Sequence, residues 1–538
     1  MAGKQRIPAV HFQPARLLHE LVAAAAARTP KAEALVAGGR RCRYEALADE
    51  VALWAGRLAT AGVAPGDRVV VWLEKRVETV AALFATSALG GIAVPANPVL
   101  KAPQIAHLTA DCAPRVLVTS STRMAALGEE GFAPPADTAV LLVDDLPAVE
   151  GERVSSLWEG VETAPAMIFY TSGSTGRAKG VVVSHRNLLA GADAVASYLE
   201  NQAQDRLLGV LPLSFDYGFS QLTTAFLVGA CAVLMDFLLP RDVLRQLVTE
   251  RITGLAGVPS LWAQLARLDW PESARRLRYI TNSGGRMPRA VLERLRALLP
   301  QTQIHLMYGL TEAFRSTTLP PEEIERRPES IGRAIPNAEI AVVDEEGRPV
   351  PPGEVGELIH RGPTVALGYW NDPERTAERF RPWPLATAFP ESAERCVFSG
   401  DLVLADVDGY LTFVGRRDAM IKSGGYRISP EEVEEAAYTV PGVTLAAAFG
   451  MPDELLGEVV VLLIDTAEER DEGKRKALVD RVRQAAHHHL PAYMQPRVIA
   501  HAPFPLPRSP NGKIDRLGAR ARWRQWQTDG EMPEGESA

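Results

Sequence analysis

The chain has few cysteines for its length, and they do not occur in pairs. Only 4 cysteines are found among 538 residues, and none belongs to a Cys-x-x-Cys pair. Wide spacing of this kind argues against a disulfide framework and against a zinc site. We therefore expect reduced thiols, as in a cytosolic protein. The positions are Cys42, Cys112, Cys231 and Cys396.

The sequence also lacks long apolar runs and any excess of positive charge. No uninterrupted apolar run reaches the roughly 18 residues of a membrane-spanning helix. The alanine-rich N-terminal segment is flanked by His19, Glu20 and Arg28, which predicts an amphipathic helix rather than a signal peptide. A formal net charge of -8 gives no general attraction to nucleic acid or anionic lipid. We expect a soluble, cytoplasmic protein that binds neither nucleic acid nor a membrane.

Helical stretches alternate with short apolar strands through most of the chain. The run DRVVVWL predicts a strand and ETVAALFATSALGG a helix, and this rhythm favours mostly parallel sheets covered by helices. Beyond about residue 335, strands joined by Glu-Gly and Asp-Gly turns predict a small barrel-like β subdomain. We therefore predict an α/β fold. Its parts are a large N-terminal domain (1–416), a small mobile α+β domain (417–525) and a disordered acidic tail (526–538).

A loop rich in glycine and hydroxyl residues lies between two apolar runs. Tyr170–Val182 reads YTSGSTGRAKGVV and follows PAMIF. Free backbone N–H groups, hydroxyl donors and one lysine suit a polyphosphate. A flexible linker is the alternative, although linkers rarely lie between two strands. The pattern favours a phosphate-binding loop, but not the common type in which Gly-Lys is followed by Ser or Thr.

Further motifs follow in order along the chain. They are LPLSFDYGFSQ (Leu211–Gln221), TNSGGRMP (Thr281–Pro288), MYGLTE (Met307–Glu312), SGD (Ser399–Asp401), GRRDAMIKSGGYRISPEEVE (Gly415–Glu434) and PRSPNGKIDR (Pro507–Arg516). With these motifs the chain resembles the adenylate-forming superfamily of acyl-CoA synthetases, stand-alone amino-acid adenylation enzymes and luciferase-like proteins, from about residue 15 to about residue 520. The resemblance implies that a carboxylate attacks the α-phosphate of ATP. The products are an acyl-adenylate and pyrophosphate, and a thiol then displaces AMP to form a thioester.

The resemblance also implies which residues bind ATP. The phosphate loop would hold the β- and γ-phosphates, and other residues would line the adenine and ribose sites. The loop residues are Thr171, Ser172, Gly173, Ser174, Thr175, Gly176 and Lys179, and the others are Ser283, Gly284, Gly285, Tyr308, Asp401 and Arg416. The loop departs from the family pattern at Ala178, where proline is common. We expect this to affect loop stiffness more than chemistry.

The catalytic assignments rest on the same resemblance. Glu312 would ligate Mg²⁺, Thr311 would touch a phosphate oxygen, and Lys513 would reach the bridging and α-phosphate oxygens of ATP. Taken alone, Thr-Glu equally fits a helix N-terminus, Asp401 a turn residue and Lys513 a solvated surface lysine. The resemblance places the hinge of the small domain at Asp418 and a passage for the thiol arm at Gly425.

Phe215-Asp216 is the most informative pair for the substrate. Amino-acid-activating members of the superfamily carry Phe-Asp here, and a substrate ammonium would offset the cost of burying the Asp216 carboxylate. The alternative is that Asp216 caps a helix beginning at Tyr217. Arg315 would meet an acidic side chain of the substrate or pair with a protein carboxylate. The residues that would line the substrate pocket are Phe215, Asp216, Tyr217, Ser220, Ser283, Gly309, Phe314 and Arg315.

The thiol acceptor is less clearly marked. GRRDAMIKSGGYRISPEEVE resembles the CoA-ligase form of the hinge motif more than that of multimodular peptide synthetases. Combined with Phe215-Asp216, it predicts a stand-alone enzyme that loads an amino or β-amino acid onto a carrier protein in natural-product biosynthesis. The alternative is an AMP-forming acyl-CoA synthetase acting on a non-amino acid. A non-catalytic binding protein is disfavoured, because Lys513, Glu312 and the phosphate loop are all present.

Two histidine features are predicted to be structural. His487–His489 are adjacent, and neighbours on a helix point about 100° apart, so the three rings cannot converge on a metal. An exposed helix end is predicted instead. His185 is expected to cap or orient the helix after the phosphate loop and to have no catalytic role.

Overall fold

The helices of the protein cover sheets that are mostly parallel. The structure is a computed structural model that describes residues 15–146, 157–172, 178–385, 394–417, 419–423, 426–453, 456–466 and 471–529. In chain order, the described α-helices are α1 (Glu20–Arg28), α2 (Tyr44–Thr60), α3 (Val77–Ala88), α4 (Ala102–Cys112), α5 (Ser121–Glu129), α6 (His185–Tyr198), α7 (Asp216–Val228), α8 (Pro240–Thr249), α9 (Pro259–Leu265), α10 (Arg289–Leu298), α11 (Pro373–Arg379), α12 (Pro430–Tyr438), α13 (Glu472–His489) and α14 (Arg516–Asp529).

The described strands range in length from 2 residues in β18 to 11 residues in β20. They are β1 (Glu33–Ala37), β2 (Arg40–Arg43), β3 (Arg68–Val71), β4 (Ile92–Pro95), β5 (Val116–Thr119), β6 (Ala139–Leu142), β7 (Pro165–Ser172), β8 (Ala178–Ser184), β9 (Arg206–Gly209), β10 (Cys231–Leu234), β11 (Gly254–Gly257), β12 (Tyr279–Asn282), β13 (Gln303–Leu310), β14 (Phe314–Leu319), β15 (Ser330–Ala334), β16 (Glu339–Val343), β17 (Val355–Arg361), β18 (Gly368–Tyr369), β19 (Phe380–Pro382), β20 (Arg395–Ala405), β21 (Leu411–Arg416), β22 (Ile421–Ser423), β23 (Tyr426–Ile428), β24 (Leu445–Asp453), β25 (Gly457–Asp465) and β26 (Val498–His501).

Two large sheets form the N-terminal part. One has the order β18-β8-β7-β4-β3-β5-β6 and the other β16-β17-β20-β21-β15-β14-β13-β12-β11-β9-β10-β1-β2, with β19 beside β20. Helix α3 contacts β3 and β4 of the first sheet and β1 of the second, so it lies between them. Its residues are accordingly buried almost throughout. The predicted α/β class, with parallel sheets and an antiparallel piece from β15 onward, is confirmed.

The parallel strands bring four connections to one edge of the larger sheet. Strands β9, β11, β12 and β13 run parallel to one another in adjacent positions. The carboxyl ends of parallel strands share an edge, and ligands of open α/β sheets bind there. The segments that follow these strands lead to Asp216, Pro259, Ser283 and Thr311. These residues therefore share one edge of the sheet.

The C-terminal part is a smaller sheet with helices on both faces. Its order is β23-β22-β25-β24, with β26 paired to β25. Residues of α12 and α13 pack on one face, and Trp523 and Ala519 of α14 pack on the other. The predicted domain boundary at residue 417 falls between β21 and β22 and stays a prediction. Asp418 and Gly425, predicted as hinge and thiol passage, lie outside the described residues.

Some local predictions need correction, and others are confirmed. Ser184, not His185, caps α6, whereas the His185 ring accepts the N–H of Leu18 at 3.1 Å. Helix α14 continues to Asp529, so the predicted start of the tail at residue 526 is too early. His487–His489 are exposed at the end of α13, as expected. All four cysteines are free and buried. Within the described residues, no helix combines the length and apolar character needed to cross a membrane.

Candidate active site

The predicted phosphate loop lies at the tip of an antiparallel hairpin. Strands β7 and β8 pair with Thr171 opposite Lys179, which confirms that the loop joins two strands. The loop residues Gly173, Ser174, Thr175 and Gly176, and the side chain of Ser172, lie outside the described part of the chain. Lys179, on the returning strand, is thus the cation that the described hairpin presents beside the loop.

Lys179 is paired with the carboxylate predicted to bind magnesium. Its Nζ donates to Glu312 Oε1 at 3.0 Å and lies 2.8 Å from the Tyr369 hydroxyl. Tyr369 also donates to Glu312 Oε1, at 2.6 Å. Burial by itself would raise the pKa of Glu312, but the lysine and the tyrosine outweigh it and bring the pKa to about 2. Glu312 is therefore a fixed anion in a nearly buried position.

The turn between β13 and β14 presents Thr311 and Glu312. The helix alternative for Thr-Glu is wrong, because these residues connect two antiparallel strands. A Cβ on Gly309 would come within 2.0 Å of the Phe314 carbonyl oxygen, so only glycine fits the tight crossing. Phe314 has a φ of 53°, a left-handed conformation that costs a bulky residue free energy. The turn reverses the chain from β13 into β14, which begins with Phe314 and Arg315.

Asp216 is a buried carboxylate beside this turn. We refer to the region around Asp216, Glu312 and Arg315 as the cleft. Asp216 is the first residue of α7, Phe215 is the N-cap, and no side-chain capping bond is formed, so the capping alternative is wrong. Its Oδ1 accepts the hydroxyl of Thr311 at 3.1 Å. Burial raises the pKa of Asp216, and the nearby Arg315 and Lys513 offset only part of this effect. The phosphate contact predicted for Thr311 stays a prediction.

Arg315 is the cation closest to Asp216 in the pocket. Its Nη1 lies 3.8 Å from Asp216 Oδ2, and its Nη2 donates to Ser220 Oγ at 2.8 Å. The guanidinium carbon lies 4.0 Å from the ring centre of Tyr217. The Tyr217 hydroxyl in turn contacts Thr281 Oγ1 at 2.5 Å. The structure thus brings together Asp216, Tyr217, Ser220 and Arg315, as the resemblance predicts.

Lys513 enters the cleft from the C-terminal part. A Cβ on Gly284, which has a φ of +81°, would lie 2.9 Å from Lys513 Cε, so the lysine passes directly over this glycine. Its Nζ lies 5.3 Å from the ring centre of Phe215. Confinement in the cleft lowers the pKa of Lys513, and Asp216 and Asp401 offset part of the effect. Lys513 is nevertheless exposed to solvent.

Two contacts hold the Lys513 loop in this position. Ser260 Oγ donates to the Gly512 carbonyl at 2.7 Å, and Asn97 Nδ2 donates to the Pro510 carbonyl at 3.0 Å. Sequence reasoning missed both residues and Tyr369 as well. Ser260 and Asn97 stand in ordinary polar contexts, so no local signal points to them. The LGYW stretch that contains Tyr369 does not predict that the Tyr369 hydroxyl reaches Glu312.

The predicted ribose side forms a second polar group. The Tyr308 hydroxyl donates to Asp401 Oδ2 at 2.5 Å, and Arg416 Nη1 lies 3.3 Å from Asp401 Oδ1. Asp401 lies within β20, paired with Arg416 of β21, so it is not a turn residue. Burial raises its pKa, and Arg416 and Tyr308 partly offset this. The arrangement presents a carboxylate edge to the cleft that suits hydroxyl donors.

Comparisons with known proteins agree with this geometry. The model of the AMP-binding enzyme family matches residues 22–370, and that of the AMP-binding enzyme C-terminal domain matches residues 432–513. The chain is 33% identical over 497 residues to L-proline--[L-prolyl-carrier protein] ligase of Streptomyces coelicolor, covering 87% of this chain and 90% of that one. It is also 30% identical over 510 residues to tyrocidine synthase 3 of Brevibacillus parabrevis, covering 94% of this chain, yet it spans only 8% of that longer protein.

A solved structure shows the same architecture. O-succinylbenzoate coenzyme A synthetase of Bacillus subtilis, in complex with ATP and magnesium ion, has a TM-score of 0.79 and 26% identity. The likeness covers 93% of this chain and 99% of that chain. The family expected from the motifs is confirmed: the chain belongs to the AMP-binding enzyme family, within the adenylate-forming superfamily.

Proposed function

We propose that the protein activates an amino or β-amino acid as an acyl-adenylate and transfers the acyl group to the phosphopantetheine thiol of a carrier protein, as in natural-product biosynthesis. The observation that carries this proposal is the buried Asp216 carboxylate, which lies in the same cleft as Lys513. In that position it provides a counter-charge for a substrate ammonium. A relative of nearly equal length is named as a ligase of proline and a prolyl-carrier protein, which supports both halves of the proposal.

In the first half-reaction, the substrate carboxylate oxygen bonds to the α-phosphorus of ATP as the bond to pyrophosphate breaks. Lys513 is the described cation that enters the cleft over Gly284, and it would stabilise the negative charge that develops on the reacting oxygens. Lys179 lies beside the loop and would hold the departing pyrophosphate. In the second half-reaction, the thiol sulfur attacks the acyl carbon, AMP leaves and the thiol proton passes to solvent.

Glu312 is suited to hold Mg²⁺ together with the phosphates. Mg²⁺ prefers oxygen ligands and is commonly bound by one or two carboxylates plus substrate phosphates. Glu312 is buried and kept ionised, which fits this mode. No group of three or more His, Cys, Asp or Glu side chains in the described residues is placed to bind a metal without phosphate. When bound, the ion would neutralise phosphate charge.

The proposal is tested by pyrophosphate exchange with matched acids. The wild-type protein is assayed with amino acids and with the same acids lacking the amino group, for example alanine against propionate and 3-aminobutyrate against butyrate. We expect exchange with at least one amino member and poor exchange with its des-amino partner, because a buried carboxylate without its cation is strongly unfavourable. Preference for the des-amino member throughout would instead support an acyl-CoA synthetase. Thioester formation with a phosphopantetheinylated carrier protein or with CoA then separates the acceptors.

A further inference from the structure

The guanidinium of Arg315 is buried, and its N–H donors are only partly satisfied by the described residues. Arg315 is only 2% exposed, and its faces are covered by Tyr217 at 4.0 Å and Phe314 at 5.0 Å. Stacking on aromatic faces holds a guanidinium in place without using its N–H donors. The donors point outward in the plane of the group, so an acceptor has to meet them at its edge.

Few of these donors are used within the described residues. A guanidinium carries five N–H donors. One hydrogen bond goes to Ser220 Oγ, and Nε has no hydrogen-bond partner in the described part of the chain. The contact with Asp216 is 3.8 Å, which is too long for a hydrogen bond. A buried, charged donor group left unsatisfied to this extent is costly, so an additional acceptor is expected.

Asp216 is incompletely paired as well. Its one side-chain hydrogen bond among the described residues is from Thr311, although a carboxylate can accept several. An internal ion pair that merely neutralised both groups would be expected to close to hydrogen-bond distance, commonly in a two-pronged geometry. The observed gap leaves each partner able to bind an opposite charge of its own. The pocket thus offers one anion and one cation side by side, with Lys513 as a second cation.

We propose that the substrate is an amino acid carrying a second carboxylate, with its ammonium on Asp216, its second carboxylate on Arg315 and its reacting carboxylate toward Lys513. This inference rests on the proposed function. Such a substrate has one positive and two negative groups, which matches the charges of the three side chains. Since Asp216 and Arg315 face each other across 3.8 Å, the ammonium and the second carboxylate must also be close. One or two carbons between the carbon bearing the amine and that carboxylate carbon, as in aspartate and glutamate, meet this requirement.

The test is pyrophosphate exchange with four sets of acids. They are aspartate and glutamate, the amides asparagine and glutamine, the neutral 2-aminobutyrate and norvaline, and the des-amino acids succinate and glutarate. Wild type is expected to favour a dicarboxylic amino acid over its amide by at least about 10²-fold in kcat/KM, because the amide leaves a buried charge unpaired. Preference for amides or neutral amino acids would overturn this inference and leave the proposed function standing. Preference for succinate or glutarate would overturn both, and no exchange with any acid of the panel would overturn this inference alone.

Two variants assign the selectivity to Arg315. Arg315→Gln should reduce the preference for the dicarboxylate over its amide to within about 10-fold, whereas Arg315→Lys keeps the charge and should retain part of it. Arg278→Gln, which alters an arginine–aspartate pair with Asp205 away from the cleft, should keep the wild-type ranking. An unchanged ranking in Arg315→Gln would contradict the assignment. If that variant does not fold, calorimetric binding of aspartate and of asparagine to wild type decides the matter, and equal affinity would overturn the proposal.

Discussion

Two buried carboxylates in one cleft are held in opposite ways. Glu312 and Asp216 are 7% and 5% exposed, so both are almost fully removed from water. Glu312 accepts hydrogen bonds from Lys179 and Tyr369, and its pKa falls to about 2. Asp216 faces Arg315 at 3.8 Å without a hydrogen bond between them, and its pKa is raised by burial.

The difference shows that contact distance, not burial, distinguishes the two groups. A charged hydrogen bond at about 3 Å offsets the loss of hydration, whereas a looser contact offsets it only in part. Glu312 is thereby a permanent anion suited to phosphates and a metal ion. Under the proposed function, Asp216 would accept a cation that arrives with the substrate.

Replacing the fixed anion should affect every substrate alike. Glu312→Gln preserves shape but removes the charge, and we expect pyrophosphate exchange to fall about 10²–10³-fold in kcat for all acids. Tyr369→Phe removes one hydrogen bond to the same carboxylate and should cost less. Exchange near the wild-type rate in Glu312→Gln would show that the fixed anion is not part of the reaction.

Under the proposed function, replacing the Asp216 carboxylate should affect only amino substrates. Asp216→Asn should cost about 2–4 kcal/mol in kcat/KM for the amino acid and should improve des-amino acids relative to it. Asp205→Asn is the matched control, because Asp205 pairs with Arg278 at the opposite end of β9. It should change stability and leave the substrate ranking unchanged. A uniform loss across both classes of acid in Asp216→Asn would argue that this carboxylate is only structural.

The two carboxylates should also respond oppositely to acid. The folded-state pKa of Glu312 is depressed to about 2, so its contribution to stability is present above its ordinary pKa and is lost as pH falls toward 2. The stability of wild type relative to Glu312→Gln should shrink by about 1 kcal/mol between pH 7 and pH 4. The pKa of Asp216 is raised, so the stability of wild type relative to Asp216→Asn should grow over the same interval. Denaturant unfolding at both pH values measures both differences, and a shift in the same direction for both variants would contradict the contrast.

The smallest effect is expected from weakening the Ser260 contact that holds the Lys513 loop. Ser260→Ala removes the hydrogen bond to the Gly512 carbonyl, worth about 0.5–1.5 kcal/mol, and should lower exchange roughly 2- to 10-fold for all substrates. Ser330→Ala removes an equivalent 2.7 Å bond to the Leu411 carbonyl between β15 and β21. It should change stability without changing exchange. If the two variants behave alike, the Ser260 contact does not position the lysine.

The fold and the identity of the cleft residues were accessible from the sequence because their signals are local. Alternating runs such as those of β3 and α3 predict parallel α/β structure, and short motifs point to Glu312, Asp216 and Lys513. Parallel strands bring Asp216 and Glu312 to one edge of the sheet, whereas Lys513 enters from the C-terminal part. The family resemblance supplied the roles, which the geometry of the described residues accommodates.

The side-chain contacts inside the cleft could not be predicted from the sequence in the same way. Lys179 and Glu312 are 133 positions apart, and Asn97 and Pro510 are 413 apart, so no periodicity or turn signal links them. Local propensity also placed the helix cap at His185 instead of Ser184, since both are polar residues at the end of a strand. Whether Arg315 binds a carboxylate of the substrate or pairs with one of the protein depends on distances that only the folded chain sets.

Direct detection of the adenylate tests the central claim. Wild type and Lys513→Ala are incubated with ATP, magnesium and the best acid of the exchange panel, with pyrophosphatase present, and the acyl-AMP is quantified by mass spectrometry. We expect wild type to accumulate an aminoacyl-adenylate and Lys513→Ala to form at least about 10²-fold less, since one preorganised charge at the reacting oxygens is lost. Equal adenylate in both proteins, or an adenylate only from acids without an amino group, would contradict the account.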